Sequence, residues 1–394
     1  MRSDRDLYLK DADKKSSERP GGIAKLAALL ILFAVCIGLL VYLNGGNSDW
    51  RSIVNLIKKR VMNTSAVSIS SIQIDPDGKS VYLPYKSGIV CVNANGIKYY
   101  NLKGKEEWRD ERSLGNPLVK ATEKYLIVGD AVSKMLYLFN GKNLLWEKSI
   151  DGEIASISVN EKGFSGVIYK GSKTKLIVEV FDARGIKRMS RYYSSNYAVD
   201  LQISQDNKYA AIGEMDVNGL KVSTGVGVIP IGTELYSSFF EEGSVFANLN
   251  YIGKDLILVL DDKIVNVKLP DCSKTIIKEL EKGQVTSLDT GSGKYIVLIE
   301  KTNKFLSMAN SLKILNPGGK QIGAYEMPGR VVNVDSDREI IAVNSGDKII
   351  FLNSSGAEIS RFNPKKEVQE VKLCYDSSHA AVMYPDRVDI INVY

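Results

Sequence analysis

GIVCVNANGIKYYNLKGKEEW, Gly88 to Trp108, reads as short apolar-alternating runs broken at Asn and Gly. A period of two sends alternate side chains to opposite faces of an extended chain, and Gly and Asn supply the positive φ that a tight turn requires. The turn that ends this stretch, LKGKEEW, recurs as FNGKNLLW ending at Trp146, FDARGIKRM at Phe181, LNPGGKQIG at Leu315 and LNSSGAEIS at Leu352. Each copy is an apolar residue, a turn containing Gly, and then an outer strand.

Outward from these copies a second signature recurs: IDPDGKSVYL near Asp75, ISQDNKYAAI near Asp206 and LDTGSGKYIVLI near Asp289. Aligned on both, the chain divides into units starting near Lys79, Asn116, Glu153, Tyr197, Ser244, Gln284, Gly329 and Glu367, spaced 37 to 47 residues apart. Such spacing suits four strands per unit. No helix pattern appears after Ser65. The last unit has only three strands, whereas AVSISSIQI, Ala66 to Ile74, is a strand without a unit. Pairing that strand into the last unit closes a ring and removes the exposed edges of an open array. The expected fold of residues 66–394 is an all-β, eight-bladed β-propeller, with seven blades the alternative if the long unit near Tyr197 or Ser244 is irregular.

Ahead of the repeats, Ile23 to Leu43 reads IAKLAALLILFAVCIGLLVYL, with Lys25 its only charge. At about 1.5 Å per residue it spans a hydrocarbon core of about 30 Å, which predicts a transmembrane helix. The run is longer than the apolar part of a cleaved signal and no A-x-A site follows, so it is expected to stay as an anchor. Residues 1–22, with Arg2, Arg5, Lys10, Lys14, Lys15 and Arg19, read as a disordered cytoplasmic tail by the positive-inside rule. That orientation puts the propeller outside the cytoplasm, on a single-pass plasma-membrane protein. Residues 44–65 are a linker in which Trp50, Ile53, Val54, Ile57 and Val61 fall on one side of a short amphipathic helix. That helix lies either on the membrane surface, with Lys58, Lys59 and Arg60 near lipid phosphates, or against the propeller.

The composition of the 394 residues, 44% hydrophobic and 25% charged, is that of a globular protein with one apolar insertion. A formal charge of +6, with both signs dispersed, lacks the clustered basic face that nucleic acid requires. The cysteines Cys36, Cys91, Cys272 and Cys374 show neither metal spacing nor a disulfide framework and read as buried thiols.

Gly88 to Trp108 resembles a degenerate repeat of the pyrroloquinoline-quinone-type propellers, and DPDGKSVYL resembles the strand turn of WD40-like propellers. Tail, anchor and propeller together are similar to a family of uncharacterised membrane-anchored propeller proteins of Gram-positive bacteria. At the level of fold alone they resemble the propeller lipoprotein that scaffolds outer-membrane assembly. The resemblance implies a quinone-dependent dehydrogenase as the enzymatic hypothesis. Its requirements are not met: Trp108 and Trp146 are explained by outer-strand packing, and the sequence names no axial carboxylate cluster and no paired cysteines. No cofactor is expected.

His379, the only histidine, falls at a strand turn and reads as a solvated surface residue. Asp75, Asp77 and Gly78 lack the twelfth-position Glu of a calcium loop, so no metal is expected. Gly225 and Gly227 lie in a strand run, not before the helix that a phosphate loop needs. Two function classes remain. The first is an interaction, scaffold or sensor module binding an envelope protein, peptide or wall polymer. The second is a hydrolase or lyase with carboxylates and Lys converging on the central channel. For the first, the expected surface is the face made by the outer-strand-to-next-blade loops and the middle-strand loops. It collects Tyr192, Tyr193, Tyr197, Phe239, Phe240, Phe305, Met308, Tyr325, Met327 and Arg330, and aromatics with Met and Arg are common interface anchors.

Overall fold

A computed structural model describes residues 68–74, 80–304 and 307–394. The tail, span and linker expected over 1–65 lie outside the described residues, as do Asp75, Asp77, Gly78 and Phe305.

Among the described residues, thirty-two strands form eight four-stranded antiparallel sheets. The innermost strands are Val81–Tyr85, Pro117–Ala121, Ile154–Val159, Tyr197–Ile203, Phe246–Ile252, Val285–Asp289, Asn333–Asp337 and Glu370–Leu373, and they define blades 1 to 8 in that order. Seven blades are built from four consecutive strands. Blade 8 takes its outermost strand, Ser68–Gln73, from the start of the domain and pairs it with Arg387–Asn392. The expected ring closure is therefore present. Eight blades are formed, and the long units near Tyr197 and Ser244 are regular four-stranded sheets.

The turn signature has one physical cause in four blades. Asn101 Oδ1 accepts the N–H groups of Lys103 and Lys105, while Gly104 adopts φ 72°. Asp182, Asn316 and Asn353 repeat the same bonds, with Gly185, Gly319 and Gly356 in the positive-φ position. The side chain replaces missing backbone partners and so fixes where the fourth strand begins.

Packing follows from position in the blade. Second strands such as Leu126–Asp130 and Ile340–Asn344 are buried at every residue, because both of their faces meet neighbouring blades. Fourth strands such as Asn143–Ser149 are largely exposed. Apolar side chains fill the gaps between adjacent blades: Val90 and Val92 with Val128 and Phe139, or Phe351 and Ala342 with Val371, Val382 and Ile391. The last gap, between blades 8 and 1, is sealed by Ile72, Ile89, Cys91, Val388 and Ile390. Cys91, Cys272 and Cys374 are buried thiols that form no disulfide, as expected.

Candidate functional site

In every blade the connections between first and second strands and between third and fourth strands share one propeller face. The second-to-third connections and the links to the next blade share the other. Ser68 opposes Ile391 near the end of a third strand, so the described chain begins on the first of these faces, called here the entry face.

The innermost strands bring together groups that sequence spacing does not connect. On blade 7, Asn333 Nδ2 donates to Val371 O at 2.9 Å, and its Oδ1 accepts Val371 N–H at 3.1 Å. Asp335 Oδ2 accepts Leu373 N–H at 2.7 Å. Both clamp the inner edge of blade 8, whose backbone groups have no strand partner on that side. Asp289 of blade 6 accepts the Ser336 hydroxyl and the Gly291 N–H. Burial raises the Asp335 carboxyl to about 7, with the charge of Asp289 adding to the rise and Lys372 opposing it. Burial likewise raises Asp289, and raises Asp337 to about 6 despite Arg338 beside it. Burial depresses Lys372, but Asp335 and Glu370 outweigh it and raise the ammonium group. An axial carboxylate cluster thus exists where the sequence named none. Its members come from three different blades, which a period-two pattern cannot align. Asp335 and Asp289 are engaged on backbone and hydroxyl groups, whereas Asp337 Oδ2 is buried without a hydrogen-bond partner, 3.8 Å from Arg338 Nη1; among the described residues no group of three or more His, Cys, Asp or Glu is arranged to hold a metal.

At the entry face the axis is bridged. Arg338 of blade 7 donates to Glu123 Oε2 of blade 2 at 2.8 Å, and also to Tyr375 O and Ser377 Oγ of blade 8. Tyr375 Oη donates to Ala121 O at 3.2 Å. Next to this bridge His379 is not the solvated turn residue expected. It opens the strand His379–Met383, is half-buried, and its Nδ1 pairs with Asp376. Burial pushes the Asp376 carboxyl up, but the His379 bond and charge outweigh it and hold it below its usual range.

The expected binding residues divide between core and surface. Tyr193 is buried and donates to Glu214 Oε1 at 2.6 Å across the boundary between blades 3 and 4. Tyr236 donates to the same carboxylate at 2.7 Å, under the Arg191 guanidinium 3.4 Å from its ring centroid. Burial raises Glu214, and the two tyrosines and Arg191 oppose the rise. Gly227 makes room for this group, since a Cβ there would run into Glu214 and the Tyr236 ring. Gly225 and Gly227 therefore serve strand packing, as read from the sequence. Phe239 and Tyr325 pack onto the core and Met327 is inside it, while Phe240 is half-buried in its outer strand. Trp108 stacks on Tyr99 and Trp146 lies against Phe181, both in outer-strand packing as expected.

Tyr192, Tyr197 and Arg330 remain on the surface of the face opposite the entry face. Three residues that the sequence reading missed join the first two: Val217 and Leu220, in the second-to-third connection of blade 4, and Val245, in the link to blade 5. Lys175 lies over the Tyr197 ring and bonds to Ser195 O, Asn218 reaches the same carbonyl, and Gly243 N–H bonds to Val222 O. These bonds tie the loops of blades 3, 4 and 5 into one continuous rim. The available signal was Leu220 directly after Asn218-Gly219, an apolar residue at a turn tip with no core to reach.

Over residues 58–393 the chain matches a family described as "Family of unknown function (DUF5711)". The chain belongs to the DUF5711 family. No curated protein matches. Among solved structures it is similar to BamB from Moraxella catarrhalis, at 13% identity and TM-score 0.52, covering 83% of this chain and 99% of that one. It is also similar to the C-terminal WD40 domain of Sif2, at 11% identity and TM-score 0.59, covering 84% and 99%. The Saccharomyces cerevisiae Sqt1 structure matches at 9% identity and TM-score 0.57, covering 83% and 100%. At these identities the likeness is one of fold. That likeness establishes this DUF5711 chain as a propeller of the kind shared by BamB and WD40 domains.

Proposed function

We propose that this protein is a membrane-anchored, extracytoplasmic propeller that acts as an interaction, scaffold or sensor module at the cell envelope. It binds a protein or peptide through the face opposite the entry face. Residues 23–43 are the anchor, 1–22 the cytoplasmic tail and 44–65 the linker. The observation that carries the reading is the rim of Tyr192, Tyr197, Val217, Leu220 and Val245, exposed on connected loops of three blades. Exposed apolar side chains gathered on neighbouring loops are a feature of docking sites. Propeller neighbours such as BamB and WD40 domains are compatible with a scaffold role.

The test replaces Tyr192, Tyr197 and Leu220 together by Ser and measures melting temperature and capture of crosslinked envelope partners. Retained melting with lost capture supports the rim, whereas retained capture by a stable variant removes it. Protease added to intact spheroplasts is expected to digest the propeller, and protection until lysis would reverse the orientation. A hydrolase or lyase reading rests on the Asp335, Asp289 and Lys372 cluster. Their bonds to backbone and hydroxyl groups favour a structural task. Substrate turnover that vanishes in Asp335→Asn while stability is kept would restore the enzymatic reading.

A further inference from the structure

Charge is distributed unequally between the two faces. Lys103, Lys124, Lys142, Lys162, Lys254 and Lys320 sit on entry-face connections of blades 1, 2, 3, 5 and 6, each exposed. Among the described residues none of these ammonium groups forms an ion pair. Of the acids on entry-face connections, Glu234 and Asp271 are exposed without an ion pair among the described residues, and four others are engaged within the domain. Glu123 pairs with Arg338, Asp182 with Arg188, Asp206 accepts Lys208 N–H and the Ser204 hydroxyl, and Glu161 accepts Glu123 N–H. On the opposite face Lys221, Lys282, Arg330 and Lys366 pair with Glu242, Asp261, Glu367 and Asp386, while Lys134, Lys173 and Lys365 are exposed and form no ion pair among the described residues. Exposed lysines without an ion pair are thus more numerous on the face where the described chain begins, and they are spread around it.

We propose that the entry face is a docking surface for acidic phospholipid headgroups of a membrane. This inference rests on the anchored reading above and goes beyond it by assigning the domain's own lysines a ligand. A hydrophobic anchor combined with a basic patch gives a stable and oriented membrane attachment, since each exposed Lys adds a small, salt-screened attraction to anionic lipid. Docking in this way turns the rim of Tyr192, Tyr197 and Leu220 away from the bilayer.

The experiment reconstitutes the full chain in vesicles of phosphatidylcholine alone and of phosphatidylcholine mixed with phosphatidylglycerol. It then maps lysine acylation by a water-soluble reagent. Lys103, Lys124, Lys142, Lys162, Lys254 and Lys320 are expected to react several-fold more slowly in the anionic vesicles, and high salt restores their rate. Lys134, Lys173 and Lys348, on the opposite face, serve as controls and keep theirs. Equal reactivity of the six in both vesicle types overturns the proposal. Protection by soluble polyglycerol phosphate but not by anionic vesicles also overturns it. Flotation with neutral vesicles tests the anchor separately: a chain that fails to float there refutes the span, while the acylation pattern in anionic vesicles still decides the face.

Discussion

Arg338 Nη2 donates to Glu123 Oε2 at 2.8 Å although 215 residues separate the two. Blades 7 and 2 are thereby tied together over the entry end of the axis.

Replacing Arg338 by Ala is expected to cost about 1–2 kcal/mol, because a charge-assisted bond and two further contacts to blade 8 disappear together. Glu123→Ala should cost less, its carboxylate being more exposed. Denaturant titrations of the two single variants and the double variant measure the coupling. Strict additivity would show that the bridge does not hold the blades.

Ring closure rests on one outer strand whose Ile72 is buried against Ile89, Cys91 and Val388. Ile72→Ala is expected to lose about 2–4 kcal/mol, and removal of residues 68–74 several kcal/mol by opening an edge. Thermal unfolding unchanged by either alteration would refute closure as a source of stability.

Asp335, raised to about 7, gives stability a pH dependence of defined sign. Unfolded, the carboxyl titrates near 3.9. Between about pH 4 and 7 the folded chain therefore holds a proton that the unfolded chain releases, so stability falls as pH rises through this window and is flat above it. Asp337, raised to about 6, acts in the same direction over a narrower range. Asp335→Asn keeps an oxygen to accept Leu373 N–H and removes the titration. Its stability profile from pH 4 to 7 should be flatter than the parent's, and parallel profiles would show that the raised pKa has no energetic consequence.

Neighbouring tyrosines should behave oppositely. Tyr193→Phe leaves the buried Glu214 short of one donor and is expected to cost about 1–3 kcal/mol. Tyr192→Ser, at an exposed position, should change stability by about 0.5 kcal/mol or less. Calorimetric melting of the two variants distinguishes them, and similar losses would contradict the burial described for this strand.

These tyrosines mark where the sequence ceased to be legible. Asn101 with Gly104, and Asp182 with Gly185, are local patterns whose hydrogen bonds close within five residues, so the turns and hence the blades could be read directly. The unpaired run ahead of the first unit and the missing strand of the last made ring closure readable as well. Which of Tyr192 and Tyr193 points inward depends on the register against Ile177 and Leu176, set by tertiary packing. The axial group of Asp289, Asp335 and Lys372 was illegible for the same reason. Each belongs to a different inner strand, and only the curvature of the ring makes them neighbours.

The outer strand of blade 8 also imposes an order on biosynthesis. Ser68–Gln73 is made before every other strand described, yet its partner, Arg387–Asn392, is made last. At ribosomal rates the two are separated by on the order of tens of seconds. Through that interval the first strand waits unpaired while seven complete blades form behind it. A chain interrupted anywhere before Arg387 leaves that strand unmatched and presents an open edge to proteases and chaperones. The seam therefore reports on synthesis of the eighth blade: the ring is closed only in a chain translated through Arg387–Asn392.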